Sequence, residues 1–374
     1  EDEQEQVCYS DDPTSQVCEH EGANFTSPDC SYVRLDRLGR FDSAGVYSLD
    51  LDADTMSQVP AGYQSDLGVC YAYAAAQLAD AWRISHRTPF ASKRISPLVA
   101  VLDAGLVHNR LPFFGFDLGI RSLSDVEEGH TEDMIDTLRE EGFCPESQTM
   151  GSGPDIDEVF VARRLATGFD EYVDWKRRNH RLVGDAGSFG ALLNYDQPEA
   201  QQRYARSILA DLRSIRVPEA ELPSLELTAR LLVGTNKARF VRDMLAHRCG
   251  GRRVRADIPS ARTYGDEDTP YRKFVDRIDK LLDKRVPQPI GVSYCPNVLT
   301  KGGNYYGLPD CAGHISVLVG RRYNPAKDRC EYLVQNTWGE SCGLYHSDWE
   351  CEKGKIWVER SALTVNTYGL TWLE

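Results

Sequence analysis

At 374 residues the chain can bury a substantial core, as two or three domains or as one large domain carrying insertions. A formal net charge of −14 excludes a general nucleic-acid binder, which needs a basic footprint, and suits a soluble secreted protein. No apolar run approaches the ~18 residues of a membrane span. The sequence opens on Glu1 without a charged-then-apolar leader, so a secretory signal is expected to have been removed or to lie outside it.

Eleven cysteines are far more than a chain kept reduced carries and indicate an oxidising compartment, secreted or periplasmic. The odd number leaves one thiol outside five possible bridges. Their pairing stays open, although a Cys8–Cys18 loop is expected. Residues 1–22 hold eight acidic residues and no Lys or Arg, the composition of a solvated tail, and residues 1–44 are assigned as an acidic extension. Asn24-Phe25-Thr26 is a glycosylation sequon.

Residues 45–59 alternate loosely and read as extended before Pro60 and Gly62 interrupt them. Residues 70–86 read as a helix, because Tyr73, Ala74, Leu78, Ala81 and Trp82 recur at three- and four-residue spacing. Ser96 as N-cap and Pro97 at the first helical position start a second helix through Leu106. A third is expected over 131–141, closed by Gly142 where positive φ is tolerated.

Between residues 150 and 260 the texture changes to Arg-rich helical pattern over 156–178, 199–215 and 225–247, with 18 Lys/Arg against 15 Asp/Glu in an otherwise acidic chain. This block, taken as 151–262, reads as an inserted helical subdomain between a helical region (45–150) and a β-rich one (263–374). The latter is expected to contain a helix over 271–282 and then strands at 290–294, 314–320, 331–335 and 355–359, forming one antiparallel sheet.

A thiol at a helix start is a candidate nucleophile, since unpaired N–H groups and the helix dipole favour the thiolate there. Cys70 is such a thiol, preceded by the turn Gly68-Val69 and by Gln64, whose amide can donate; alone, it reads first as a buried structural cysteine. A nucleophilic cysteine needs a base and a group to orient that base, both usually distant in sequence. His314 opens an apolar strand and Asn336 ends another, followed by Thr337-Trp338-Gly339. Singly, they read as a core histidine and a turn former.

Taken together, Gln64, GVCYAYA (68–74), GHISVLVG (313–320) and QNTWGESCG (335–343) resemble, in order, four signature segments of the papain family of cysteine peptidases. The resemblance covers residues 45–150 and 265–374. It implies an α+β, papain-like two-domain fold with a helical left domain, an antiparallel β-barrel-like right domain and a cleft between them. It also implies a peptide or protein substrate, no cofactor and no metal. In that frame Cys70 is nucleophile, His314 base and then acid, Asn336 orienter of the imidazolium, and Gln64 with the Cys70 N–H the oxyanion hole. Trp338 shields the His–Asn pair. Gly68, Glu128, Gly129, Gly313 and Trp338 would line the substrate cleft, and Cys70 with His314 would rest as a thiolate–imidazolium pair.

The chain departs from the family pattern in places. Leu67-Gly68-Val69-Cys70-Tyr71 stands where the family has Cys-Gly-Ser-Cys-Trp, so the disulfide beside the nucleophile cannot form and Cys144 needs another partner. From Cys70 to His314 is 244 residues, roughly 100 more than the family spacing of about 130–150, which matches the helical insert. No helical propeptide is recognisable before residue 45. Cys342, His346 and Cys351 are close enough to suggest zinc, with an oxidised hairpin the preferred reading, and Tyr305 and Tyr306 resemble an aromatic binding lip, with a surface loop the preferred reading. Rival functions are a papain-fold transpeptidase or ligase, a binding or inhibitory protein with the insert closing the cleft, and a zymogen whose cleft is blocked by residues 1–45; a propeptide or inhibitor at the cleft is the further partner expected.

Overall fold

The computed structural model describes residues 8–9, 17–18, 33–34, 56, 58–108, 129–151, 157–181, 197–234, 236–250, 252–284, 288–303 and 311–374. The expectations placed on 45–55, on the sequon, on Glu128, on Tyr305 and Tyr306, and on a cleft blocked by the N-terminal segment lie outside these residues. Three short strands come first: β1 (Cys8–Tyr9), β2 (Val17–Cys18) and β3 (Val33–Arg34). The β1–β2 backbone register sets Cys8 opposite Cys18; a bond between their side chains lies outside the described residues.

Helix α1 (Cys70–Ser85) is the central element of the helical half. Its run of alanines leaves it almost wholly buried, because small side chains let neighbouring backbones approach on every side. It packs on α2 (Pro97–His108), on α3 (Thr131–Glu141) and, across the molecule, on the sheet. Ser96 caps α2 by accepting from the Val99 N–H at 3.2 Å, and Gly142 ends α3 at φ 73°, as the sequence indicates.

Four more helices follow: α4 (Glu158–Arg181), α5 (Pro198–Ser214), α6 (Leu225–Gly234) and α7 (Lys237–Leu245). The single helix expected over 225–247 is therefore two. Asn236 breaks it by accepting from the Arg239 N–H at 2.8 Å, which starts a new helix with its own cap. Helix α7 packs on both α2 and α4, and Cys144 is bonded to Cys249 just beyond it, so the helical block is covalently tied to the end of α3.

The C-terminal part holds β4 (Ala261–Tyr264), α8 (Tyr271–Leu282), β5 (Ile290–Tyr294), β6 (His314–Asn324), β7 (Arg329–Gln335), β8 (Glu350–Glu352), β9 (Lys355–Glu359), α9 (Arg360–Thr364) and β10 (Thr367–Leu373). The strands form one antiparallel sheet in the order β4-β10-β5-β6-β7-β9-β8, with β3 also on β6. The fold is thus α+β, helices against an antiparallel sheet. Strands β4, β8 and β10 were not among the expected ones; ECE is too short and too polar to show a period, and β10 pairs with strands distant in sequence.

Arg83 shows what fixes α1 in place. It is fully buried, with its guanidinium bonded to Asp80 at 2.9 Å and to the carbonyls of Lys93 and Phe90, and it lies over the Phe143 ring. Asp80 in turn accepts from the Ile95 N–H at 3.1 Å. Removing one partner of such a pair strands the other charge in the interior. Arg83→Met should therefore lower unfolding free energy by about 3–5 kcal/mol in urea titration; a loss under about 1 kcal/mol would show that the pair does not hold the helix.

Candidate active site

The site begins with the chain segment before α1. Residues 62–64 run antiparallel to 337–339: Tyr63 bridges Trp338, the Gln64 N–H donates to the Thr337 carbonyl at 2.9 Å, and the Gly339 N–H donates to the Gly62 carbonyl at 3.2 Å. This strap joins the helical half to the end of β7 and places Gln64 and Asn336 on neighbouring backbone. The Gln64 side chain is buried, its Nε2 donating to the Leu67 carbonyl at 2.8 Å and its Oε1 accepting from the Thr337 hydroxyl. A primary amide nitrogen carries two protons, so one remains to donate elsewhere.

Asn336 is fully buried and every bond it makes is informative. Its Oδ1 accepts from the Thr337 backbone N–H at 2.8 Å; a backbone N–H can only donate, so this atom is the oxygen. The same oxygen accepts from Ser316 Oγ at 3.0 Å and meets His314 Nε2 at 2.8 Å. His314 Nε2 must therefore carry a proton. In the neutral ring Nδ1 is then the free base. Asn336 Nδ2 donates to the Tyr345 hydroxyl at 3.2 Å, and the Tyr294 hydroxyl lies 2.9 Å from Ser316 Oγ.

Aromatic rings enclose the imidazole. Trp338 lies over it at 5.1 Å between centroids, Tyr294 meets it edge-on at 5.7 Å, and Tyr345 stacks behind Trp338 at 5.9 Å. Tyr294 is also the cross-strand neighbour of His314 in the β5–β6 register.

Cys70 is the first residue of α1 and is half-buried. The Ile315 N–H, next along β6 from His314, is directed at its sulfur, as are the Cys70 and Tyr71 amides. The thiol therefore lies at the start of β6. Among the described cysteines it is the free one: Cys295 is bonded to Cys311, Cys342 to Cys351, and Cys330 is also disulfide-bonded. The Cys342–Cys351 bond takes up the thiols that suggested zinc.

Gly129 packs on the Tyr71 ring so closely that a Cβ would collide with it, and Gly313, exposed, abuts the Tyr368 hydroxyl. Beside Trp338 lies a groove of about 560 Å³ lined by Tyr63, Ser65, Thr300, Lys301, Trp338, Gly343 and Leu344. The structure thus brings Gln64, Cys70, His314, Asn336 and Trp338 together. Ser316, Thr337, Tyr294 and Tyr345 complete the network. Ser316 could have been found, since residues two apart on a strand share a face with His314. Tyr345 carries no local signal.

Burial opposes the ion pair expected of these two groups. Burial pushes the Cys70 thiol up from its ordinary 9.0, outweighing the three amides that lower it. Burial likewise pushes His314 down to about 4, against the opposing bond to Asn336. Burial thus disfavours the charged form of each group, because the aromatic enclosure that fixes the ring also removes the water that would solvate a charge.

No protein-family model matches the chain, and no curated protein matches it. Among solved structures, xylellain, a cysteine protease from Xylella fastidiosa, aligns at TM-score 0.40 and 14% identity over 92% of this chain and 96% of its own. A structure concerned with the mite allergens Blo t 1 and Der p 1 aligns at 0.40 and 13% over 94% and 78%. Procathepsin L 3 from Tenebrio molitor larval midgut aligns at 0.39 and 10% over 92% and 76%. At these values the likeness decides nothing about this chain; its own residues do.

Two pH effects follow. The His314 pKa is about 4 folded against 6.5 unfolded, so the unfolded chain binds the extra proton between those values. Stability from this group is whole above pH 6.5 and falls by about 3 kcal/mol as pH drops to about 4; His314→Phe should lose that slope in denaturation curves taken across the range. Because the Cys70 thiol is raised, its alkylation by iodoacetamide should climb past about pH 9, whereas a rate plateau between about pH 4 and pH 8 would mean a resting ion pair.

Proposed function

We propose that this chain is a papain-like cysteine peptidase that hydrolyses peptide bonds through a thioester on Cys70. The observation that carries this reading is the forced tautomer at His314, on the strand whose start lies at the Cys70 thiol: Asn336 Oδ1 fixes the proton on Nε2 and leaves Nδ1 as the free base.

In the mechanism, Cys70 Sγ attacks the substrate carbonyl carbon while its proton passes to His314 Nδ1. Burial disfavours both charged forms, so proton transfer accompanies attack in this reading. The charge that develops on the carbonyl oxygen is met by the free Gln64 Nε2 proton and the Cys70 N–H, donors fixed before the reaction by the strap and the helix start. The imidazolium then gives its proton to the departing amine as the C–N bond breaks, leaving a thioester. Water, deprotonated by His314, attacks the thioester and restores the thiol. Asn336 stabilises the transient imidazolium, being aligned for it by three other bonds.

In this reading an extended peptide lies along the groove at Trp338 and across Gly68, Glu128, Gly129 and Gly313, and residues 151–262 are an insertion between the catalytic halves. The bridged cysteines suit secretion or a periplasmic location. No helix among the described residues is long and apolar enough to cross a membrane.

Cys70→Ser and His314→Ala should each abolish cleavage of a peptide library and labelling by an epoxide thiol inhibitor. Retained cleavage in the Cys70 variant sinks the assignment. Gln64→Ala should lower kcat by about 10²–10³ with little change in KM, as expected for a donor used in the transition state.

A further inference from the structure

The strap that leads to Gln64 also lines a second cavity. Its volume is about 420 Å³, and residues 59–63, one face of α1 and the start of α4 line it. Gln77, on that face of α1, is 5% exposed, and neither its Nε2 nor its Oε1 has a hydrogen-bond partner. A buried amide left this way lacks both an acceptor and a donor.

The charges in the wall are also out of balance. Glu146 is neutralised by Arg94 at 2.6 Å. Asp157 and Glu158 are not neutralised by any cation among the described residues: Asp157 accepts from the Val159 N–H at 2.9 Å and Glu158 from Ser96 Oγ at 2.7 Å. Burial, Glu146 and Asp157 hold the Glu158 carboxyl up near 7. Asp157 and Glu158 are consecutive residues, and both act on the Tyr73 hydroxyl, while no group of three metal-ligating side chains lies among the described residues. Two carboxylates beside a buried amide suit an organic ammonium better than a metal ion, which needs more oxygen ligands.

We propose that this cavity binds a free basic amino acid of the lysine type, its two ammonium groups facing Asp157 and Glu158 and its carboxylate facing Gln77 Nε2. Such a molecule brings two positive charges to two uncompensated carboxylates, and a donor and an acceptor to the orphan amide. Tyr73, which shares the wall, donates to the Tyr63 carbonyl at 2.9 Å, so an occupant braces the strap next to Gln64. No catalytic residue takes part, and the proposal stands or falls independently of the peptidase reading.

The test is calorimetric titration of the full chain carrying Cys70→Ala, at about pH 8, where Glu158 is ionised. L-lysine should bind saturably, with norleucine and 1,5-diaminopentane each weaker by about tenfold or more, since each lacks one matching group. Glu158→Gln and Gln77→Leu should each weaken lysine binding by about tenfold or more. The proposal is overturned by no saturable heat up to about 10 mM lysine, by equal binding of either analogue, by binding of calcium alone, or by unchanged affinity in both variants. Should a variant fail to fold, the three-ligand comparison on the parent still decides.

Discussion

The hydrogen bonds of Asn336 are the constraint on which the site depends. Its carbonyl oxygen receives a backbone N–H, a serine hydroxyl and an imidazole N–H, and its amide reaches a tyrosine, so nothing about its orientation is left free. A fully buried amide with unmet bonds would be costly, and here the cost is avoided by a set of partners that also dictates the tautomer of His314. The imidazole is thereby oriented by packing and polar satisfaction together. Separating them is not possible, because Trp338 and Tyr294 hold the ring where Asn336 can reach it.

The strap at 62–64 links this sheet-borne pair to the helix-borne thiol. It is held by backbone bonds to residues on either side of Trp338, by Gln335 Nε2 on the Val59 carbonyl at 3.0 Å, and by Tyr73 from α1. Each half therefore contributes to fixing Gln64. The all-small face of α1 lets the helix sit against β6, which is how an N-terminal cysteine comes to lie at the start of the strand that begins with His314. Disulfides act farther out, tying α3 to the segment after α7 and pinning loops around the sheet.

Enclosure explains a difference between expectation and structure. A helix N-terminus favours a thiolate, and from sequence that effect stands unopposed at Cys70. In the folded chain it acts against desolvation by the same residues that position the groups, and desolvation wins at both Cys70 and His314. Likewise, a continuous apolar period suggested one helix over 225–247, whereas a single Asn side chain, able to cap, divides it. Local pattern gives the apolar face; competition between hydrogen bonds decides where it stops.

Much was legible in the chain itself. Helices α1, α2 and α3 follow from periodicity and from Ser96, Pro97 and Gly142, and strands β5, β6, β7 and β9 from runs of β-branched and aromatic residues, since those signals are local. Cys70, His314, Asn336 and Gln64 stand out as candidates because each sits in a short segment with distinctive neighbours. Only the tertiary structure decided what those residues do to one another. The partners of Asn336, the ring stack on His314, the Cys144–Cys249 bond, the strand β10 and the cavity around Gln77 all join positions far apart in sequence. Burial, the force that sets the protonation of the site, is a property of the assembled neighbours and is written in no single stretch of the chain.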